Sequence, residues 1–391
     1  MTRTLRNFSM LGLGILVALC GPATAQDYAK FRVLETRAVE DMWTSAGQKA
    51  ALLSPDGSRV LHLNGREFCL LAPSQIGPWA KIACGQSTPE NRPGDAADMF
   101  WSPAGDRLLM PTNSDALLRF RDTDIRLFDP MTFTVENLTD DGFDDSLFGD
   151  HRKGPANFDL APRWLDGDTI AFIRYVIPAE GFSQAGPLSL MSIEVGGGEP
   201  KELFRFATGR GIPIYATAIS PDGTQLAYSV DGSADTQNLG IYLLSLADPA
   251  PSLIAAQADI GRSPTGLAFS ADGKYLLVLS QNVDGVDARV IDLATGKVVP
   301  VDPVQNVVGV AWSPTGSALA YLTYDRTRVD MPGGLFLASA PGDAARLLIG
   351  GAFFPTVCCG QQPVVWATND TMIVAQLGEK LGTVLFVRLG Q

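Results

Sequence analysis

The sequence predicts an all-β protein: a seven-bladed β-propeller of four-stranded antiparallel blades, closed by a strand from near the N-terminus. Three observations predict it. A turn of Ser-Pro-Asp-Gly type, preceded by a large apolar residue and followed by an alternating apolar strand, recurs seven times at spacings of about 43 to 62 residues. Gly (40) and Pro (26) are abundant, as many short strands joined by tight turns require. Between residues 50 and 391 no amphipathic helical pattern of any length stands out.

The first copy is Leu53-Ser-Pro-Asp-Gly57, leading into Arg59-Val-Leu-His-Leu63. Trp101-Ser-Pro-Ala-Gly105 leads into Arg107-Leu-Leu-Met110, and the shorter Trp164-Leu-Asp-Gly167 into Thr169-Ile-Ala-Phe-Ile173. Ile219-Ser-Pro-Asp-Gly223, Phe269-Ser-Ala-Asp-Gly273 and Trp312-Ser-Pro-Thr-Gly316 follow. Trp366-Ala-Thr-Asn369, again short by one residue, is the last. Pro presets φ for the turn, and Asp or Ser bonds back to the backbone. Gly or Asn supplies the positive-φ corner that reverses the chain. The apolar residue ahead of the turn is placed to pack on the neighbouring repeat. A third strand follows in each unit, as in Asp124–Phe128, Gly240–Ser245, Ala288–Asp292 and Gly334–Ala338. Short fourth strands follow at Thr134–Leu138 and Lys297–Val301. Four antiparallel strands per unit make a propeller blade.

The string Ile219-Ser-Pro-Asp-Gly-Thr-Gln-Leu-Ala-Tyr-Ser229, followed by Ile241-Tyr-Leu-Leu-Ser-Leu246, resembles the WD40-like repeats of TolB-type propellers. It is similar also to the propeller domains of prolyl-oligopeptidase-like peptidases. The resemblance covers about residues 50–391. It departs from both families in lacking an α/β domain, and from TolB in counting seven repeats, not six. What it implies is a propeller and, by analogy with TolB, a part in cell-envelope assembly or maintenance.

The seventh repeat supplies strands at Pro363–Trp366, Thr371–Gln376 and Thr383–Arg388. A three-stranded blade would leave an exposed edge. Its fourth strand is expected from Phe31-Arg-Val-Leu-Glu35, where alternation suits an outer, half-exposed strand. Residues 30–36 should therefore pair with Thr383–Arg388.

Residues 1–25 read as a secretory signal peptide: Arg3 and Arg6, the apolar run Met10–Leu19, and Ala23-Thr24-Ala25 before Gln26. Cys20 raises a lipoprotein alternative, but Leu19 stands where a lipoprotein peptidase prefers a small residue. Residues 26–391 are then one propeller domain in the periplasm, with no stretch long enough for a transmembrane helix. Cleavage deepens the net charge from −12 to −14, which disfavours nucleic acid and anionic lipid as partners. Export permits disulfides. Cys69 and Cys84 are nearly symmetric about the Pro73–Trp79 turn, on the third and fourth strands of the first blade, and are expected to be bonded. Cys358 and Cys359 are adjacent and would be strained as a vicinal disulfide.

Chemistry-bearing motifs are few. There is no Gly-x-Ser-x-Gly, and the mature chain holds only His62 and His151, so neither a Ser/His triad nor a zinc spacing is expected. The acidic loop with Asp140, Asp141, Asp144 and Asp145 offers oxygens to Ca²⁺, and Asp231 and Asp235 do so more weakly; a solvated loop is the plainer reading of each. No other cofactor is expected. In a propeller the Ser-Pro-Asp-Gly turns share one face. The second-to-third-strand loops and the connections between blades share the other. Long irregular segments fall on this second face, at Asn113–Asp122, Thr139–Ala161, Arg174–Gly186, Phe206–Pro213, Tyr324–Gly333 and Gly350–Pro363. They carry Arg119, Arg121, Arg152, Arg210, Arg326 and Tyr324, residue types that interfaces favour. The expectation is a monomeric, non-catalytic propeller that binds a protein or peptide of the cell envelope on its loop-rich face. The alternative is a hydrolase or lyase using carboxylates or a loop-bound Ca²⁺ in the central funnel. Two or three carboxylates converging at the funnel mouth would favour that alternative.

Overall fold

Seven four-stranded antiparallel blades follow one another along the chain in the computed structural model. It describes residues 27–44, 52–63, 67–72, 79–86, 99–111, 124–141, 156–179, 185–206, 209–210, 214, 216–230, 239–261, 264–282, 285–303, 306–323, 333–351, 364–376 and 382–391. The expected signal peptide lies outside these residues. Among them, no helix is long and apolar enough to cross a membrane.

Blade 1 comprises Leu52–Leu53, Val60–Leu63, Glu67–Ala72 and Ala80–Gln86. Blade 2 comprises Phe100–Trp101, Leu108–Pro111, Ile125–Asp129 and Thr134–Asn137. Blade 3 has Ala156–Trp164, Thr169–Ile177, Leu188–Glu194 and Lys201–Arg205, and blade 4 has Thr217–Ile219, Gln225–Val230, Gly240–Ser245 and Ser252–Ala256. Blade 5 runs through Pro264–Phe269, Tyr275–Asn282, Gly285–Asp292 and Val298–Pro300, and blade 6 through Val307–Trp312, Leu319–Thr323, Gly334–Ala338 and Arg346–Gly350. Blade 7 takes Val364–Thr368, Thr371–Gln376 and Gly382–Gly390 from the C-terminal end and Arg32–Thr44 from the N-terminal end. A single pairing, Val286 with Val307, links blades 5 and 6. The only α-helix among the described residues is one turn, Gln257–Ile260.

Each blade is a sheet with two buried faces, so its middle strands are apolar almost throughout, as in Leu319–Thr323. The outer strands alternate with solvent, as in Ala80–Gln86 and Thr134–Asn137. Seven apolar clusters fill the seven gaps between consecutive blades. The gap between blades 7 and 1 is filled like the others, by Val60 and Leu71 against Ile373, Val384 and Phe386. The ring is therefore closed by packing.

The repeated turn explains itself in the structure. In the first copy the Ser54 hydroxyl donates to Asp56 Oδ1 at 2.6 Å and accepts from the Arg59 backbone N–H at 2.9 Å. Ser220 and Ser270 hold their turns the same way. Gly57 sits at φ +70°, and a Cβ there would collide with the Ala367 carbonyl of blade 7. This glycine thus serves both the turn and the close approach of two blades. The apolar residue ahead of the turn packs on the preceding blade, as its position implies. Where it is Trp, its indole N–H also donates to that blade's first strand. Trp101 reaches Leu52 O at 3.0 Å, Trp164 reaches Phe100 O at 3.1 Å, Trp312 reaches Ala268 O at 3.0 Å and Trp366 reaches Ala311 O at 3.4 Å.

The N-terminal strand completes blade 7. Glu35 pairs with Arg388 and Thr36 with Val387, and after a register shift the pairing continues to Thr44 with Gly382, further than the expected 30–36. Tyr28 and Phe31 are buried, Tyr28 edge-on to Trp366 at 5.3 Å, while Leu34 faces out. Cys69 pairs directly opposite Cys84 and the two are joined by a disulfide. We expect a mature Cys358→Ala/Cys359→Ala variant to show no titratable thiol until reductant is added, and reduction to lower stability by about 2–3 kcal/mol, since the bond closes a short loop. Two free thiols in the unreduced, denatured protein would contradict the pairing. His62 is buried on a strand of blade 1, in keeping with a structural role.

Candidate functional site

The strand directions place the two-residue corners of the Ser-Pro-Asp-Gly turns on one face, here the turn face. The longer connections lie on the other, the loop face. They run from Pro111 to Ile125, Asn137 to Ala156, Ile177 to Leu188, Thr323 to Gly334 and Gly350 to Val364. Two of these segments begin later or end sooner than the sequence suggests. The first strand of blade 3 starts at Ala156 and the second runs on to Ile177. Asp159 and Arg174, expected in irregular chain, are thus strand residues that pair with each other.

They form the core of a polar cluster at the loop-face end of the crevice between blades 2 and 3. Asp159 is fully buried. Arg174 grips it with both arms, Nε to Oδ1 at 2.7 Å and Nη2 to Oδ2 at 2.6 Å. Where blade 2 ends, Asn137 donates to the buried Asp124 at 2.6 Å and the Thr139 hydroxyl accepts from the Ile125 N–H at 2.9 Å. Asp141 then caps the start of blade 3, its Oδ2 accepting from the Asn157 N–H at 2.8 Å. Burial pushes the Asp159 carboxyl above the ordinary carboxylate range, against the pull of Arg174. Asp124 is likewise raised by burial, against the bond from Asn137 and the charge of Arg126. Burial lowers the Arg174 pKa, but its bonds to Asp159 and the charges of Asp159, Asp141 and Asp124 raise it on balance. The charges of Asp159, Asp141 and Asp124 all act on one guanidinium, and Asp159 is held by it in a two-armed ion pair.

Of the residues singled out from sequence, Asp140 and Asp141 adjoin this cluster. Arg210 lies on a two-stranded ribbon, Ala185–Gly186 with Gly209–Arg210, that rises on the loop face beside blade 3. Asp144, Asp145, Asp231, Asp235, Arg119, Arg121, Arg152, Tyr324, Arg326, His151, Cys358 and Cys359 lie outside the described residues. Sequence reasoning missed Asp124, Asp159 and Arg174. The signal for the last two was an arginine inside the apolar run Ile170–Ile177 and an aspartate between Phe158 and Leu160.

On the turn face a cavity of about 560 Å³ opens. Blades 5, 6, 7 and 1 contribute to it. Leu53, Trp312, Pro314 and Trp366 are among its apolar walls, and Asp56, Thr368 and Asn369 supply its polar edge. Bonds from the Ser54 and Ser58 hydroxyls and the Ser58 N–H pull the Asp56 pKa down to about 2, so it is a fixed anion at physiological pH.

Known structures share this architecture. An oligogalacturonate lyase in complex with manganese aligns over 91% of this chain and 96% of its own, with a TM-score of 0.54 and 15% identity. An oligogalacturonate lyase from Vibrio parahaemolyticus aligns over 92% and 96%, with a TM-score of 0.54 and 14% identity. A putative TolB from Agrobacterium tumefaciens aligns over 78% and 93%, with a TM-score of 0.44 and 16% identity. The likeness is one of fold. The two lyases, at TM-scores of 0.54, bear out the propeller read from the repeats, and at such identities they carry no activity across. A scan against protein-family models gives no match, and no curated protein matches the sequence.

Proposed function

We propose that the chain is an exported, monomeric, non-catalytic propeller that docks a protein or peptide of the cell envelope on its loop face. The observation that carries this reading is the unlikeness of the two faces. On the turn face the repeated turns are short corners, three of which are closed by their own serine and aspartate, at Ser54–Arg59, Ser220–Gln225 and Ser270–Tyr275. The loop face bears the long connections and the raised ribbon with Arg210. A rigid ring presenting variable loops on one side is a common design for binding. The candidate arginines belong to those connections in an otherwise acidic sequence, and arginine is a residue type that interfaces favour.

A metal-dependent lyase is supported less. Only one cluster of metal-ligating atoms occurs among the described residues, that of Glu67, Cys69 and Cys84, and its two sulfurs are joined to each other. Those residues do not fit manganese or Ca²⁺, which needs oxygen ligands. Asp159 is held by Arg174, Asp124 by Asn137 and Asp141 by the Asn157 N–H, an arrangement that suits support of the loop face.

The test is capture from envelope extract by tagged mature protein. Wild type should retain a discrete partner. Reversing Arg119, Arg121, Arg152 and Arg326 to Glu should abolish capture, while Lys201→Glu with Lys297→Glu on the turn face should leave it intact. Equal capture by the loop-face variant would contradict the reading.

A further inference from the structure

The turn-face cavity lies on the face opposite the loop face and is not explained by docking there. We propose that it is a second docking site, which takes a lysine or arginine side chain flanked by apolar residues from a partner polypeptide. The cavity is of ligand size, about 560 Å³. Its walls are built for an alkyl stem. Leu53, Pro314 and the rings of Trp312 and Trp366 surround a space that four blades share. Both indoles are fixed, each tethered through its N–H to the preceding blade, and Trp312 is stacked on Tyr275. Preorganised aromatic faces attract cations as well as apolar groups.

The head group is chosen by charge. Asp56 lies in the lining, with both carboxylate oxygens oriented by Ser54 and Ser58. Two cations of the same face turn elsewhere. Arg59 reaches Gly105 O of blade 2 at 3.3 Å, and Lys274 pairs with Asp272 at 3.3 Å. Asp370 follows the lining residue Asn369 and accepts from the Thr368 hydroxyl of the lining at 2.6 Å, in a chain of net charge −12. A long basic side chain buries its methylenes while its charge stays at a wet edge, which is the geometry offered here. An anionic or purely apolar ligand would meet the wrong potential at that edge.

The test uses acetyl-Leu-Lys-Pro-amide titrated into the full mature protein and followed by tryptophan fluorescence and calorimetry. Binding should be saturable and should weaken as salt is raised. The arginine peptide should bind comparably, and peptides with norleucine or glutamate in place of lysine at least threefold more weakly. Asp56→Asn, which keeps the turn's acceptor, should weaken the lysine peptide about three- to fivefold, the size of effect an exposed charge pair supports. Asn369→Lys, which sets a tethered cation at the rim without touching the Ser54–Arg59 turn that holds Asp56, should weaken it at least tenfold. Unchanged melting temperatures in both variants would confirm that the ring is intact. Absence of binding at millimolar peptide, equal binding of the norleucine peptide, or full affinity in both variants would overturn the proposal. Capture on the loop face would be unaffected by either result.

Discussion

Deleting residues 26–37 behind the signal segment should lower the melting temperature by about 10 °C and increase aggregation. The deletion removes Tyr28 and Phe31, both buried against blades 6 and 7, and much of the strand paired with Gly382–Gly390. Each buried aromatic contributes about 1.5–3 kcal/mol. In a protein of this size a kcal/mol corresponds to roughly 2 °C. The uncovered strand Gly382–Gly390 would also present a long unpaired edge, ready to pair with another chain. Replacing Tyr28 and Phe31 together with Ala, leaving the backbone strand in place, should recover part of the loss in edge protection but not in packing. It should therefore lower the melting temperature with less aggregation. An unchanged melting temperature after deletion would show that the N-terminal strand does not fasten the ring.

Arg174→Ala should cost about 3–5 kcal/mol at neutral pH, because it strands the fully buried Asp159 without a counter-charge. Arg174→Met with Asp159→Asn, which removes both charges, should recover most of that loss. The pH dependence has a definite sign. A carboxyl whose pKa is raised by folding contributes stability that is present below its unfolded pKa and is lost as pH rises through the folded one. Asp159 is already raised by burial, and without the guanidinium it rises further. The deficit of Arg174→Ala relative to wild type should therefore shrink as pH falls below neutral and the stranded carboxyl takes up a proton. Chemical denaturation of both proteins at several pH values checks this. A deficit that grows on acidification would rule out a stranded carboxylate as its source.

The fold was legible because a propeller repeats one local solution. Seven turns with the same chemistry announced seven blades, and the closing strand followed from a blade left one strand short. The cysteine pair was legible from symmetry about a turn. Strand ends were less so. Ala156–Trp164 and Thr169–Ile177 carry Asp159 and Arg174 among apolar residues, and each polar residue taken alone reads as the edge of a loop. Only their pairing across two strands makes them mutually tolerable in the core. The cluster with Asp124 and Asp141 draws on segments some fifty residues apart, and the turn-face cavity on four blades spread over nearly the whole chain. No local spacing encodes such meetings. The tryptophan tethers were half legible: packing on the preceding repeat follows from position, but the carbonyl that each indole finds does not.

The measurement that bears most directly on docking is photo-cross-linking in cells. A photoreactive amino acid would be placed at Lys153 or Tyr324 in loop-face connections and at Thr295 or Gly342 on the outer turn face. A discrete adduct is expected from the loop-face positions, lost when Arg119, Arg121, Arg152 and Arg326 are reversed to Glu. Loop-face positions that yield no adduct in cells where the protein is exported and folded would contradict it.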